Sequence, residues 1–508
     1  MKKMTQNLTL LVALVVALPL LPARAVVFQY ALELEREHQR VFLWIPAEAE
    51  EIKGILVAGT TSIEKDLVRD PRVREVCNEK SIAILFGTPG LHGFFNQELL
   101  DQFAEKSGYA ELSTAPLFFV GHSAGGPQAK DLAKQYADRT FGLMLSRGGI
   151  PDPEPGTFPT LVLTGQFDEF GGLMRDEDGR EPAWENPKDA LARNRAANPD
   201  LVVTYAVEPG AGHFGWSDRN SKLFSLFLAK AATPPPSSER VATPLNAREE
   251  GEGDTSDPAN ALHLDRELAE AVHAYHADLR ANKQDQFLRW DNRFWVDAGV
   301  RFFFHNLDFE GDGRTFRVNP VFAERVPGQH NNNGPRWLNA GEEVGNSGGP
   351  IRLRVVSGPA VVVGEDLLRL EHDALNPAIG PWGRLTFLAY TPGDDTYRHA
   401  ETPGMAPRGY RGPGGSGQTI TFEELSDLTV GSDPVELQAT ASSELPVDFY
   451  VARGPAVVRD GKLHLAEIPA RATFPIEIEV VAYQPGSGME PRFSPAPGVS
   501  QTFQLTQD

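Results

Sequence analysis

The chain has 508 residues, 41% of them apolar and 23% charged. That is long enough for about three domains at roughly 100–200 residues each, and too apolar for wholesale disorder. The formal charge of 48 − 69 = −21 argues against binding along a phosphate backbone as the main task. The single cysteine, Cys77, rules out an intrachain disulfide and zinc sites built on several thiols.

The N-terminus reads as an export signal over residues 1–25. Lys2 and Lys3 form a basic start, Leu8–Leu21 an apolar run, and Ala23-Arg24-Ala25 a small-x-small site with cleavage expected after Ala25. The rival reading is a membrane anchor, but the run is shorter than the roughly 18–20 residues that a span needs. Removal leaves a charge of 45 − 69 = −24. A soluble protein, secreted or periplasmic and without a membrane span, is expected.

Residues 26–232 alternate short apolar runs with amphipathic helical patterns. Phe28–Leu34 and Arg40–Ile45 read as a strand pair. Gly54–Ala58, Ile82–Phe86, Leu117–Val120, Gly142–Leu145, Thr160–Thr164 and Leu201–Ala206 are continuous apolar runs that suit strands buried on both faces. Helical patterns at Asp70–Lys80, Gln97–Lys106, Pro127–Ala137 and Ser221–Lys230 fill the gaps, which predicts a mostly parallel sheet flanked by helices.

Residues 233–258, from Pro234-Pro235-Pro236 to the acidic Glu249–Asp254, have the composition of a linker. Within a connector at 259–285, a helix over Leu262–Asn282 shows an apolar face of Leu264, Leu268, Ala271, Val272, Tyr275 and Leu279. From 286 the pattern turns all-β and contains an internal repeat. Ser347–Val362 aligns with Ser443–Val458 at an offset of 96, and Ala389–Gly393 with Ala482–Gly486 at 93. Two β-sandwich modules are expected, at 286–402 and 418–508, separated by the Gly/Pro-rich 403–417.

The chemistry centres on Gly121-His122-Ser123-Ala124-Gly125. The strand Leu117–Val120 runs into this motif and the helical pattern from Pro127 runs out, the context of a nucleophile elbow. Such a turn lifts a serine hydroxyl above the sheet at a helix N-terminus, where negative charge is favoured. A serine needs a base to take its proton and an acid to orient that base. Asp168 follows the strand Thr160–Thr164, with Glu169 and Asp176 as competitors. His213 follows Leu201–Ala206 in a Gly-rich loop. Both gaps, Ser123 to Asp168 and Asp168 to His213, are 45 residues.

In these motifs residues 27–232 resemble an α/β-hydrolase-fold serine esterase. The second repeat copy, from Gln418-Thr-Ile-Thr-Phe422 to Leu505, resembles a bacterial immunoglobulin-like module of exported proteins. The first resemblance implies Ser123, Asp168 and His213 as nucleophile, acid and base. It also implies an oxyanion hole formed by the Ala124 N–H and a donor from the loop Gly59-Thr60-Thr61-Ser62, with Thr60 preferred over Thr61. Substrate contacts are expected from His92 and Phe94 in the loop Gly87–Phe95, and from Trp184. Trp216 and Arg147 could also line the pocket.

Two other motifs mimic active sites. Gly345-Asn346-Ser347-Gly348-Gly349-Pro350 copies a trypsin-like nucleophile motif, but His305 lies only 42 residues upstream, and the repeat places Ser347 in a module turn. Asp308–Gly313 resembles half a calcium loop, with Asn319 where an acidic ligand is required; a polar β-turn is expected. Cys77 falls on an apolar helix face as a structural thiol.

The function expected is that of an exported serine hydrolase cleaving carboxylic esters through an acyl-enzyme, with acyl groups on polysaccharide as the substrate suggested by analogy. No metal or cofactor, and no nucleic-acid partner, is implied. The β modules would contact a polymer or cell surface and be dispensable for small esters. The alternatives are a surface binding or adhesion protein with a non-catalytic hydrolase-like domain, and a peptidase of the same fold.

Overall fold

The structure, a computed structural model, describes residues 27–507 except 37–38, 154–157, 169–184, 292, 296–302, 306, 327–340, 379–384 and 408–409. Residues 1–25, read above as an export signal, and Glu169, Asp176 and Trp184 therefore lie outside the described residues. Among those described, no helix is long and apolar enough to cross a membrane.

The N-terminal part has the α/β-hydrolase fold. Its elements are β1 (Tyr30–Glu33), β2 (Arg40–Trp44), β3 (Gly54–Gly59), α1 (Glu64–Arg69), α2 (Pro71–Glu79), β4 (Ile82–Gly87), α3 (Gln97–Ser107), β5 (Leu117–His122), α4 (Gly125–Gln135), β6 (Thr140–Ser146), β7 (Thr160–Gly165), α5 (Glu185–Ala197), β8 (Val203–Glu208) and α6 (Asp218–Ala232). The strands lie in the order β1-β2-β4-β3-β5-β6-β7-β8. The six from β4 to β8 run parallel, and β1 and β2 pair antiparallel at one edge. Every residue of β3, β4, β5, β7 and β8 is buried, because helices cover both faces of a parallel sheet. The chain winds from β3 out to β4 and then returns past β3 to β5. The loops after β3 and β5 therefore diverge, and the crevice beyond their carboxyl ends is where such sheets bind ligands.

The Pro- and acid-rich segment expected to be a free linker supplies a strand. β9 (Val241–Pro244) pairs with β10 (Asn260–His263), and β10 pairs with β8 through Leu262 and Val203. Polar residues and proline signalled exposure correctly, but an edge strand meets the same conditions; away from β10, β9 is bridged at Ala242 by Gly253, whose N–H donates to the Ala242 carbonyl at 2.9 Å. Ala242 of β9, and Leu245 and Ala247 just after it, are buried. The helix expected over 262–282 is shorter. It comprises α7 (Arg266–Tyr275), capped by the Asp265 carboxylate on the Leu268 N–H, and a single turn, α8 (Ala277–Arg280). Its Leu268, Val272 and Tyr275 pack into the hydrolase core.

The rest of the described chain is β structure. The first module has a five-stranded sheet in the order Arg293–Trp295, Phe303–His305, Ala400–Met405, Thr386–Thr391, Arg352–Ser357, and a four-stranded sheet including Leu367–Leu370 and Ala360–Val362. The second has a four-stranded sheet of Leu428–Thr429, Val499–Thr506, Ile476–Tyr483 and Asp448–Arg453, a three-stranded sheet, and a two-stranded one. The repeat is structural as well. Arg352–Ser357 and Asp448–Arg453 occupy corresponding strands, with a register shift between Val355 and Ser357 in one and between Val451 and Arg453 in the other. Each then turns at a left-handed glycine, Gly358 at φ 94° and Gly454 at φ 105°. The first module extends past the expected boundary at 402, because Pro403–Met405 pair with Leu388–Thr386.

Neither module hangs free. The second shares one apolar cluster with the hydrolase, with Ile420, Ile478 and Leu505 of the module among its buried members. Its Arg471 donates to the carbonyls of Glu50 and Gly108 and to the Glu111 carboxylate. The first module lies over α1, where the Lys65 ammonium donates to Asn376 at 2.7 Å and Arg69 pairs with Asp373 at 2.6 Å. The motifs that mimic active sites are structural. Asp312 caps a turn by accepting from the Arg314 and Thr315 N–H groups. The Ser347 hydroxyl accepts from the Gly349 N–H. His305 is buried beside Trp290 and Phe387. Burial pushes the Cys77 thiol up to about 12, the behaviour of an inert structural thiol.

Candidate active site

β5 ends at His122, and Ser123 follows with φ 50°. A left-handed serine costs on the order of 1–3 kcal/mol and persists only where its surroundings enforce it. Here the glycines permit the tight turn. A Cβ on Gly121 would sit 2.4 Å from the Gly125 carbonyl oxygen, and one on Gly126 would sit 2.0 Å from that of Gly148. The Ser123 N–H donates to the Ser146 carbonyl and its own carbonyl accepts from the Gly126 N–H, both at 3.0 Å. Ser123 is half-buried. Ala124, the N-cap of α4, is exposed at the positive end of that helix.

Asp168 and His213 come together from the ends of β7 and β8. His213 Nδ1 lies 2.9 Å from Asp168 Oδ1, with their side chains 2% and 6% exposed. The His213 ring packs 4.9 Å from the ring of His122, the residue before Ser123. Asp168 and His213 thus pair beyond the carboxyl ends of neighbouring strands, beside the residue that precedes Ser123.

His122 ties the parts together. Its Nε2 lies 2.8 Å from the His213 carbonyl oxygen and its Nδ1 lies 2.8 Å from Ser62 Oγ. A carbonyl only accepts, so Nε2 carries the proton and Nδ1 accepts from the Ser62 hydroxyl. Burial, then the neighbouring His213 and Arg147, hold the His122 pKa well below the usual histidine value. This neutral ring connects the elbow, the His213 loop and the loop after β3.

That last loop departs from expectation. The Thr60 N–H, the preferred second oxyanion donor, is committed to the carbonyls of Gly87 and Pro89 at 3.0 and 3.1 Å. The Thr61 and Ser62 N–H groups donate to Glu64 Oε2 at 3.1 and 2.7 Å, while Glu64 Oε1 accepts from the His122 N–H at 3.0 Å. Burial raises the Glu64 pKa, opposed by these backbone donors. Besides the Ser62 hydroxyl on His122, the Thr61 hydroxyl of this loop approaches the elbow, and its oxygen would lie 2.7 Å from a Cβ on Gly125. Thr61-Ser-Ile-Glu64 has the spacing of a capping box, a signal for the Thr61 bond alone; α1 itself starts at Glu64 with Ile63 as its N-cap.

Behind His213 lies a buried ion pair. Arg147, also left-handed at φ 51°, meets Glu208 at 2.7 Å, with side chains 0% and 4% exposed. It also donates to the Gly212 carbonyl at 2.7 Å. Burial pushes the Glu208 carboxyl up, but Arg147, Ser217, His399 and Asn220 outweigh it and hold it below its usual value. Arg147, expected as a pocket residue, instead braces the loop that carries His213 from within.

His92 stands half-exposed, its backbone N–H donated to the Gln128 side chain on α4. Phe94, expected to touch substrate, is only 4% exposed and packs over Gly87 and beside Phe95; a large apolar ring next to a strand end finds the core first. Trp216 is buried, with its Nε1–H donated to Asp70.

No protein family and no curated protein matches the chain. Among solved structures it is similar to an S-formylglutathione hydrolase from Agrobacterium tumefaciens, at 12% identity and TM-score 0.29 over 40% of this chain and 93% of that one. It is similar to Est1E from Butyrivibrio proteoclasticus at 14% identity and TM-score 0.26, covering 38% and 92%. A cold-adapted esterase from an Arctic intertidal metagenomic library matches at 13% identity and TM-score 0.27, covering 40% and 92%. At such identities a likeness concerns fold alone, and the chemistry has to be read from this chain's own residues.

Proposed function

We propose that the chain is an exported serine hydrolase acting on carboxylic esters. Ser123 is the nucleophile, His213 the general base and Asp168 the acid that orients it. The observation that carries this reading is the buried 2.9 Å contact of Asp168 with His213, packed against the residue that precedes a strained, half-buried serine. His213 Nε2 takes the Ser123 proton as its oxygen attacks the ester carbonyl. The Asp168 carboxylate stabilises the imidazolium that forms, and the alcohol leaves with that proton. Water activated by His213 then cleaves the acyl-enzyme and releases the acid. The oxyanion is held by the Ala124 N–H and, in place of a Thr60 backbone donor, by the Thr61 hydroxyl.

An exported chain with tandem β modules suits acyl groups carried on a polymer such as a polysaccharide. A fluorophosphonate probe should label the wild type and leave Ser123→Ala unlabelled. That variant should also lose hydrolysis of p-nitrophenyl esters by several orders of magnitude. Retention of more than about a tenth of the wild-type rate would remove Ser123 from the mechanism.

A further inference from the structure

The backbone of the base loop is held at several points. The Gly210 N–H donates to Gln166 Oε1 at 2.7 Å, the Ala211 carbonyl accepts from the Phe167 N–H at 2.8 Å, the Gly212 carbonyl accepts from Arg147, and the His213 carbonyl is bound by His122. These partners all belong to the hydrolase. One further partner does not. The Gly212 N–H donates to Oε1 of Glu401 at 2.6 Å, and Glu401 lies in the strand Ala400–Met405 of the first β module.

Glu401 is built for that place. Its side chain is 4% exposed, and its other oxygen lies 3.2 Å from His399 Nε2. Its carboxylate also crowds Gly215, where a Cβ would fall 2.8 Å from Oε2. Gly210 is so close to the module that a Cβ there would meet the His399 carbonyl oxygen at 1.7 Å. The same module also supports the acid. Phe287, Ala323 and Val326 form an apolar cluster with Phe167, the neighbour of Asp168.

On the reading of Ser123, Asp168 and His213 given above, we propose that Glu401 is a positioning residue for His213, so that the first β module completes the catalytic unit. A buried N–H that loses a charged acceptor seeks another partner, and the one-residue lever from Gly212 to His213 would carry the shift to the imidazole. Displacements of about 1 Å at a reacting group can cost on the order of 10² in rate.

The test uses the full chain, with rates expressed per fluorophosphonate-titrated site. Glu401→Met fills the volume without an acceptor and should lower kcat on p-nitrophenyl acetate by about tenfold to a hundredfold, with KM changed less than about twofold. Glu401→Gln retains an oxygen for the Gly212 N–H and should stay within about threefold of wild type. Arg398→Ala removes the module's grip on Asp278, Ala281 and Asp285 without touching the base loop; it should lower the melting temperature and leave kcat unchanged. Should Glu401→Met not fold, Glu401→Asp decides, because it keeps the charge and withdraws the acceptor by one methylene. Wild-type kcat in Glu401→Met or Glu401→Asp overturns the proposal. So does an equal loss of kcat in Glu401→Met and Arg398→Ala. A wild type that the probe does not label defeats the serine reading instead, whatever Glu401 does.

Discussion

Arg352–Ser357 and Asp448–Arg453 are the same strand of one repeat, down to the register shift and the left-handed glycine that follows. They nevertheless meet different parts of the hydrolase. The first lies over α1, whose Glu64 organises the loop after β3. The second reaches the β1 edge, where Arg453 approaches Glu33 and the Gly454 N–H donates to the Phe28 carbonyl. A repeated scaffold has therefore been placed once beside the candidate site and once away from it. The inward-facing pattern of a sandwich fixes its own fold. Its outward residues fix where it docks, and the copies differ there, as at Arg352 against Asp448 and Arg354 against Tyr450, as well as in core volume, as at Val356 against Ala452.

Five outcomes test that contrast, beginning with the largest. Asp168→Asn sets the scale for a direct loss at the site: kcat should fall by about 10⁴ as His213 takes the wrong tautomer, measured by steady-state kinetics with melting temperature as control. Arg147→Met leaves Glu208 buried without its cation and should cost about 3–5 kcal/mol in a urea titration. A loss below about 1 kcal/mol would show that the base loop does not depend on that pair.

The third separates the modules' cores. His305 is buried in the first, with burial pushing its pKa down to about 3, whereas the second packs Ile478, Phe503 and Leu505. Between pH 6.5 and about 3 the unfolded chain binds a proton at His305 that the folded chain does not, so folded stability falls as pH drops through that window. His305→Leu should therefore stabilise increasingly as the pH falls, by about 3 kcal/mol at pH 4 relative to its effect at neutral pH. A pH-independent difference would disprove this.

Fourth, Thr61→Val removes one hydroxyl and should lower kcat by about 10–10² with little change in melting temperature; an unaltered kcat would return the second oxyanion donor to the backbone. Last, Arg471→Ala in the second module should cost about 1 kcal/mol of stability and leave kcat unchanged. A fall in kcat comparable to that of Glu401→Met would erase the distinction between the two docked copies.

Much of this was readable along the chain because the deciding interactions are local or periodic. Continuous apolar runs specify strands buried on both faces. Glycines around Ser123 specify the elbow, since a Cβ at Gly121 or Gly126 has nowhere to go. An acid and a histidine, each after its own strand, fall at the same sheet edge because parallel strands end there. The repeat was visible as an offset of 96 and survives as matched strands. The tertiary structure alone decided which groups were already engaged. The Thr60 N–H is spent on the turn after β4, and Arg147 is neutralised by a carboxylate 61 residues away. The bond from Gly212 to Glu401 spans 189 residues and joins two domains. No spacing or composition marks such a pair, because a buried charge takes whichever partner the packed chain brings within reach. The same holds for β9: the sequence showed a polar, proline-bearing segment, and only the open side of β10 made it a strand.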